Sequence, residues 1–349
     1  MEIKNHKITM RQLQALIIMD TFGVLAVCLP QSMARLSGQN SWIWITAAGI
    51  IVSLIAAMAV SMDGSSLYKS FAGRTICILL CGKIILCTGV VLKIFASTVT
   101  SLLLDKTPVW IISGIMTLLC LHAALQGIKT RARAAEILFF VVALILIFVY
   151  MLTAYNMEIE NLMPLSLSGG FKSTWQAVFS VFGVEYLLFI RPYLNGNRPA
   201  AKRALSAGIL CSVLLGLTVL LTTAVFGAAN MQVKNWAVLQ VVNTIDFPIM
   251  LVERQDIIIT AFWIGSAFAF LNAGVYYTGL LLSQAGVRKE RDVFLFWASG
   301  LLIWAVSLYP SSIDMCMELL WKLRILNFIV YAAIIAAFVF KKGVAVNEK

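Results

Sequence analysis

Phe179-Ser180-Val181-Phe182-Gly183-Val184-Glu185 lies in the middle of an apolar stretch, residues 173–194, that is long enough to cross a membrane. The segment places a glycine and an acid near mid-membrane, and Pro192 follows on the far side. Glycine lowers helix propensity by about 1 kcal/mol relative to alanine. The pattern therefore predicts a helix that breaks halfway across the bilayer, where only protein or a watery cavity can satisfy the freed backbone groups.

A second stretch, residues 12–36, has the same pattern: Asp20-Thr21-Phe22-Gly23-Val24 is followed by Pro30. Broken helices at corresponding positions in two halves of a chain indicate the substrate site of a transporter. Helices one and six of ten occupy those positions in a five-plus-five inverted repeat. The alternative is that these glycines serve only close helix packing, for which membrane helices commonly use glycine.

The composition requires a mostly apolar solvent, because 61% of the 349 residues are hydrophobic and only 12% are charged. We predict an all-α integral membrane protein with ten transmembrane helices in a single domain, 1–349, whose repeats cover about 9–155 and 172–340. The predicted helices are approximately 12–36, 42–61, 76–104, 108–126, 134–154, 173–194, 204–227, 256–283, 293–309 and 317–340.

The basic residues predict the orientation. Of the 27 Lys and Arg residues, 18 fall in alternate connections and termini on one side, which favours both termini in the cytoplasm. The net charge of +11 is spread over short clusters between apolar stretches and does not form a folded basic patch, so we expect no nucleic-acid partner. The longest outer connection, Ala228–Arg254, is either an extracytoplasmic lid or a linker.

The sequence has no motif for an enzyme. A phosphate-binding loop, a nucleophile elbow, a zinc-protease motif and a dinucleotide fingerprint are all missing from the chain. Cys77 and Cys81 share a helix face, but no further Cys or His nearby completes a metal site. We therefore expect no catalytic residue, no metal and no cofactor.

Four ionisable residues lie well inside the predicted helices: Asp20, Lys83, Lys93 and Glu185. A charge at the bilayer centre costs roughly 2.5–3.5 kcal/mol, so such groups usually pair or face a cavity. From the depths along the helices, we predict that Asp20 pairs with Lys83 and that Glu185 faces the cavity with Lys93 as its partner. The alternative is that Lys83 extends to the cytoplasmic surface while Asp20 is protonated.

The eighth stretch carries Asn272 and Tyr276, which share a helix face. A polar stripe in a bilayer points inward. These side chains either line a pocket or bond neighbouring helices.

Several short motifs, in order along most of the chain, resemble those of the spore germination receptor B subunits, or endospore germination permeases, of the amino acid–polyamine–organocation superfamily. They are Thr9-Met10-Arg11-Gln12-Leu13, Leu29-Pro30, Gly38-Gln39-Asn40-Ser41-Trp42, Thr107-Pro108-Val109-Trp110, Gly127 with Ala132-Arg133-Ala134-Ala135-Glu136-Ile137, Asn161-Leu162-Met163-Pro164-Leu165, Phe182-Gly183-Val184-Glu185 and Glu253-Arg254-Gln255-Asp256. Asp20-Thr21-Phe22 is more polar and bulkier than the family's small-residue stretch, which points to a different ligand or a remodelled site.

The resemblance implies the ten-helix leucine-transporter arrangement, with helices one and six broken around a pocket. It implies a nutrient-germinant sensor, often for an amino acid, in the spore inner membrane or the cell membrane. Its partners would be an A-type membrane subunit and a C-type lipoprotein subunit. Including Asp20, the expected ligand-binding residues are Asp20, Thr21, Phe22, Gly23, Lys93, Ser97, Phe182, Gly183, Glu185, Asn272 and Tyr276.

Two other functions stay open. A secondary amino-acid transporter would have the same fold and would carry a coupling proton on Asp20 or Glu185. An integral-membrane enzyme would need a polar catalytic cluster at one membrane surface, and the sequence shows none.

Overall fold

A computed structural model describes residues 7–165, 170–196, 199–234, 236–241, 255–284 and 292–347. The regular secondary structure in these ranges is helical, apart from one isolated β-bridge. The helices are α1 (Met10–Ser37), α2 (Ser41–Ser61), α3 (Phe71–Leu102), α4 (Val109–Leu125), α5 (Gly127–Tyr155), α6 (Gly170–Ser180), α7 (Ala200–Val233), α8 (Ala237–Gln240), α9 (Gln255–Gln284), α10 (Asp292–Leu308) and α11 (Ile313–Asn347).

The predicted all-α membrane fold is confirmed. Six stretches of the described chain are long and apolar enough to cross a membrane, and the first of them contains both α1 and α2. Two shorter apolar helices, α4 and α10, have 17 residues each, or about 26 Å. Nine of the ten predicted helices thus correspond to one helix each, and the sixth is divided.

α1 lies at the centre of the bundle. Most of its 28 residues are buried, and it packs against α5, α7 and α9. α5 lies at the periphery, where Leu144, Ile147, Phe148 and Met151 are exposed. An exposed apolar face of this kind suits contact with lipid, because exposing apolar side chains to lipid costs far less free energy than exposing them to water.

The predicted break in helix one is wrong, because α1 is a single helix from Met10 to Ser37. Gly23 serves packing instead. A Cβ atom at Gly23 would lie 2.0 Å from the Ser266 Oγ of α9, so only glycine allows this approach. The Gly23 carbonyl also accepts a hydrogen bond from the Trp263 indole at 3.0 Å. These contacts fix α9 against an intact α1.

The predicted break in helix six is confirmed. α6 ends at Ser180, and a short 3-10 helix, Val184–Phe189, starts after three residues outside any helix. Gly183 has φ 96°, in the left-handed region that side chains with a Cβ rarely adopt. A second 3-10 turn, Arg191–Tyr193, completes the stretch. The predicted sixth helix therefore consists of α6, a sharp turn at Gly183 and two short 3-10 helices.

Small residues bring α2 and α7 close together. A Cβ at Gly208 would lie 2.3 Å from the Ser53 Cβ, and one at Gly49 would lie 2.3 Å from the Ser212 Oγ. Close backbone approach through small residues is a common way for membrane helices to associate. This pair forms one wall of the cavity described below.

The predicted outer connection, Ala228–Arg254, is described only in part. α7 extends to Val233 through a bend at Gly227 (φ 73°), and α8 follows. Trp236, just before α8, is buried. Residues 242–254, with Asp246 and Pro248, lie outside the described residues, as do the first two residues of the Glu253-Arg254-Gln255-Asp256 motif.

The segment before α1 pairs with the end of helix six. The Ile8 N–H donates to the Tyr193 carbonyl at 2.8 Å, and the Asn195 N–H donates to the Ile8 carbonyl at 3.0 Å. The Ile8 side chain is fully buried. Two hydrogen bonds and one buried side chain thus join the beginning of α1 to the chain that follows the break.

Candidate functional site

A central cavity of about 60 Å³ lies between α1, α2, α7 and the break in helix six. Three predicted site residues line it: Asp20 and Thr21 from α1, and Gly183 from the break. Tyr186 and Tyr277 also line it, and most of the remaining wall is apolar. The central cavity therefore brings together residues that are more than 150 positions apart in the sequence.

Asp20 is paired with Arg131, which lies in the predicted connection before residue 134. An Arg131 Nη2 hydrogen donates to the Asp20 Oδ1, and both side chains are buried. The predicted Asp20–Lys83 pair is wrong. Arg131 comes from the second turn of α5, which packs directly on α1, so its guanidinium reaches the carboxylate without leaving the core.

Tyrosines surround this pair. The Tyr186 and Tyr277 rings stack with centroids 4.6 Å apart and planes 10° apart. The Arg131 guanidinium carbon lies 5.4 Å from the Tyr277 ring centroid and 5.9 Å from that of Tyr276. Aromatic faces attract a guanidinium. The tyrosines therefore stabilise the charge of Arg131 where water cannot.

Glu185 is paired with Lys83. The Lys83 Nζ donates to the Glu185 Oε1 at 2.7 Å, and both side chains are buried. The predicted Glu185–Lys93 pair is wrong, and so is the alternative that Lys83 extends to the surface. The break explains the change of partner, because it redirects the chain after Gly183 and turns Glu185 toward α3 at the level of Lys83. The second oxygen, Oε2, is buried and has no hydrogen-bond partner.

Two side chains of α11 satisfy carbonyls at the end of α6. Asn327 Nδ2 donates to the Phe179 carbonyl at 2.6 Å and to the Val181 carbonyl at 3.2 Å. The Tyr331 hydroxyl donates to the same Val181 carbonyl at 2.6 Å. A helix end inside a bilayer needs such partners. These two carbonyls are therefore held by protein and do not face the central cavity bare.

Asn272 and Tyr276 lie beside the Asp20–Arg131 pair. Asn272 Nδ2 donates to the Cys120 carbonyl of α4 at 2.9 Å, so this residue does bond a neighbouring helix. It also lines a small cavity of about 40 Å³ together with Asp20 and Arg131. Both interpretations of Asn272 thus apply. Tyr276 packs edge-on against Tyr277, with centroids 5.2 Å apart.

The other predicted site residues do not line the central cavity. Phe22 and Gly23 lie in the α1 core, and Phe182 lines a neighbouring cavity. Lys93 and Ser97 are half-buried on α3. The structure therefore separates the predicted residues of α3 from those of α1 and the break.

The sequence before residue 134 already contains a pattern that indicates a buried position for Arg131. Ile128, Ala132 and Ala135 are buried with Arg131, at the i, i+3, i+4, i+7 spacing of one helix face. The three apolar positions already mark that face in the sequence. Extending α5 back to Gly127 would have placed Arg131 on the inner side.

The largest cavity described lies elsewhere. It measures about 490 Å³, and we call it the polar vestibule. Its lining includes Lys7, Asp63, Tyr68, Arg191 and Tyr193. Burial raises the pKa of the Tyr68 phenol, so this group stays neutral. No predicted site residue lines the vestibule, which lies where the segment before α1 meets the end of helix six.

Comparison with known sequences identifies related proteins. A family model described as "Spore germination protein" matches residues 7–314. The chain is 20% identical to spore germination protein B2 of Bacillus subtilis (strain 168), over 90% of this chain and 89% of that protein. It is 26% identical to spore germination protein GerQB of Bacillus cereus, over 71% and 72% of the two chains.

Solved structures share the fold. Mhp1, a nucleobase-cation-symport-1 family transporter in a closed conformation with bromovinylhydantoin bound, aligns with a TM-score of 0.64 at 13% identity, over 91% of this chain and 75% of that one. A variant of the manganese transporter of Eremococcus coleocola aligns with a TM-score of 0.59 at 14% identity, over 93% and 76%. At these identities the likeness concerns architecture alone.

Proposed function

This chain belongs to the spore germination protein family, and on that premise we propose that it is a permease-like subunit of a spore germination receptor. It binds a nutrient germinant, an amino acid or a similar small polar molecule, in the central cavity. The observation that carries this proposal is the cavity itself, which adjoins the break in helix six and is lined by Asp20, Thr21 and Gly183.

The volume of the central cavity supports a binding mode that requires motion. About 60 Å³ has room for only a few water molecules, so an amino acid enters only when the walls move apart. The turn at Gly183 lets the two parts of helix six move separately. A ligand that prefers the wider state shifts the equilibrium toward it, and partner subunits can read that shift.

The ion pairs favour a receptor over the alternative, a proton-coupled amino-acid transporter. Asp20 is bonded to Arg131 and Glu185 to Lys83, so each acid that could carry a proton already has a fixed basic partner. A proton carrier would have to break one of these buried pairs in every cycle. A receptor can keep both pairs intact while its cavity widens.

A substitution in the central cavity tests the binding site. Thr21→Val keeps the side-chain shape and removes the hydroxyl, which donates to the Ile17 carbonyl at 2.7 Å. We expect spores carrying Thr21→Val to need at least several-fold more nutrient for half-maximal germination. Thr75→Val is the matched control, because Thr75 makes the same bond to Phe71 on an exposed surface. A normal response of Thr21→Val spores that contain normal amounts of the protein would show that the germinant does not bind in the central cavity.

Uptake into proteoliposomes separates the receptor from the transporter. Ligand binding without accumulation supports the receptor, whereas concentrative, proton-dependent flux supports the transporter. Loss of that flux in Glu185→Gln or Asp20→Asn, measured at matched amounts of folded protein in the vesicles, would assign the coupling proton.

We also propose the cellular setting. The partners are an A-type membrane subunit and a C-type lipoprotein subunit in the spore inner membrane, with both termini of this chain cytoplasmic and two repeats of about 9–155 and 172–340. Co-purification of tagged protein from spores tests the partners. Labelling of single cysteines added at each terminus, before and after permeabilisation, tests the orientation.

A further inference from the structure

A second cavity adjoins the central one, and we call it the Arg324 cavity. It measures about 30 Å³ and lies between α1, α3, the end of α6 and α11. Leu25 lines both cavities, and neighbouring residues of the break divide between them, with Gly183 on the central cavity and Phe182 on the other. The two cavities are therefore separated by little more than Leu25 and the break.

The charged group on this cavity has no acidic partner. Arg324 Nη1 is buried and has no hydrogen-bond partner, and no described carboxylate forms an ion pair with Arg324. Its guanidinium carbon lies 3.6 Å from the Trp321 ring centroid, which supplies one favourable contact. Arg324 lies about 16 Å along α11 from Ile313 and is half-buried, with its Nη1 atom covered by protein.

Lys93 adds a second positive charge on the same side of the molecule. It is half-buried on α3, and within the described ranges it forms no ion pair. Lys93 lies two residues beyond Val91, which lines the Arg324 cavity, on the same helix α3. Both acids deep in the core, Asp20 and Glu185, are already neutralised by other residues. Among the residues that the structure describes, Arg324 and Lys93 therefore carry positive charge without a paired acid.

The missing counter-charge identifies the ligand chemistry. A cation inside a bilayer is costly unless it pairs, and a guanidinium pairs best with the two oxygens of a carboxylate. The hydroxyls of Ser32 and Ser180, which line the cavity, donate to carbonyls of their own helices, so the guanidinium is the main free donor. The volume suits a carboxylate group but not a whole bulky solute.

We infer that the Arg324 cavity is a second binding site and that it takes the carboxylate group of a small organic acid or amino acid. Because it lies beside the central cavity, the ligand binds here before it enters that cavity. This order of binding rests on the proposed function, whereas carboxylate binding itself does not. Lys93 contributes through its field and not by direct contact.

Acetate is the probe for this site, with acetamide as its uncharged counterpart of the same shape. We would purify the whole protein in lipid nanodiscs and measure its thermal midpoint against increasing acetate at constant ionic strength. Acetate should raise the midpoint of the wild type, and acetamide should not. Arg324→Gln should weaken the apparent acetate affinity at least tenfold, whereas Arg324→Lys should keep part of it.

Lys322→Gln is the matched control, since it removes a positive charge from the same helix at an exposed site. It should respond to acetate like the wild type. The inference is overturned if acetate leaves the wild type unchanged, if acetamide acts equally, or if Arg324→Gln responds normally. None of these results depends on the germinant, so the Thr21→Val spores test the central cavity separately.

Discussion

α1 and helix six carry the same sequence pattern and fold differently. Each has an acid and a glycine near mid-membrane and a proline beyond them, yet α1 is continuous and helix six turns sharply at Gly183. In α1 the glycine has ordinary helical backbone angles and makes room for Ser266. In helix six the glycine has φ 96°, and α11 holds the freed carbonyls.

The difference shows that glycine permits a break but does not cause one. What decides is whether neighbouring helices supply partners for the backbone groups that a break releases. α11 offers Asn327 and Tyr331 to helix six. Trp263 is the one described side chain that donates to the α1 backbone at Gly23, and a single donor leaves the helical hydrogen bonds in place.

The acids of the two helices allow the test with the largest expected effect. Removing one member of a buried ion pair costs roughly 3–5 kcal/mol, because the other charge is left unpaired. We therefore expect Lys83→Met or Glu185→Gln to lower the yield of folded protein severely. The swap Lys83→Glu with Glu185→Lys should recover most of it, as measured by size-exclusion chromatography and thermal unfolding.

The control for this experiment reverses the charges of two residues that are not paired with each other, Asp20 and Lys83. Asp20→Lys combined with Lys83→Glu should be no better than either single variant, because Asp20 bonds Arg131. Recovery in that combination would contradict the pairing and restore the one expected from sequence depth.

Gly23→Ala sharpens the comparison on the α1 side. The new methyl would overlap the Ser266 side chain, and overpacking of this kind typically costs about 1–3 kcal/mol. We expect a lower thermal midpoint that Ser266→Gly partly restores in the double variant. Ser266→Gly alone is the control. A Gly23→Ala protein as stable as the wild type would show that close packing is not why α1 has glycine here.

Gly183→Ala tests the helix-six side with the same change. Here the cost, about 1–2 kcal/mol, comes mainly from the left-handed backbone, because the nearest Tyr186 ring carbon would lie 3.1 Å from the new Cβ and needs to shift only slightly. Shortening the nearest side chain, by Tyr186→Ala, should therefore fail to restore the thermal midpoint. Rescue by Tyr186→Ala would show that Gly183, like Gly23, is required for close packing and not for its backbone conformation.

The smallest effect is expected at the carbonyls of the break. Tyr331→Phe removes one donor to Val181 while Asn327 remains, and hydrogen bonds inside membrane proteins average about 0.6 kcal/mol. We expect a slight fall in thermal midpoint for Tyr331→Phe and a larger one when Asn327→Ala is added. Tyr155→Phe, on an exposed tyrosine at the end of α5, should change nothing.

Much of the fold followed from the sequence, because lipid imposes a simple rule. A bilayer requires long apolar helices, so hydrophobicity placed ten stretches and nine of them correspond to single helices. The break in helix six was also predictable, since Gly183 combines low helix propensity with freedom at positive φ.

The ion pairs and the continuity of α1 were not predictable, because both depend on which helices touch. Depth along a helix suggested Lys83 for Asp20, but depth does not say which way a side chain points around the bundle. Arg131 reaches Asp20 because α5 packs on α1, and Glu185 reaches Lys83 because the break turns the chain. The partner of each buried charge is therefore decided by contacts between segments that are far apart in the sequence.

The pairing of Ile8 with the chain after helix six links two mechanical parts. The start of α1 cannot move away from the end of helix six until the Ile8–Tyr193 and Ile8–Asn195 hydrogen bonds break and the buried Ile8 side chain is exposed. Ile8 thus fastens the start of α1 to the chain that follows the break, and we expect a deletion that removes Ile8 to loosen both at once.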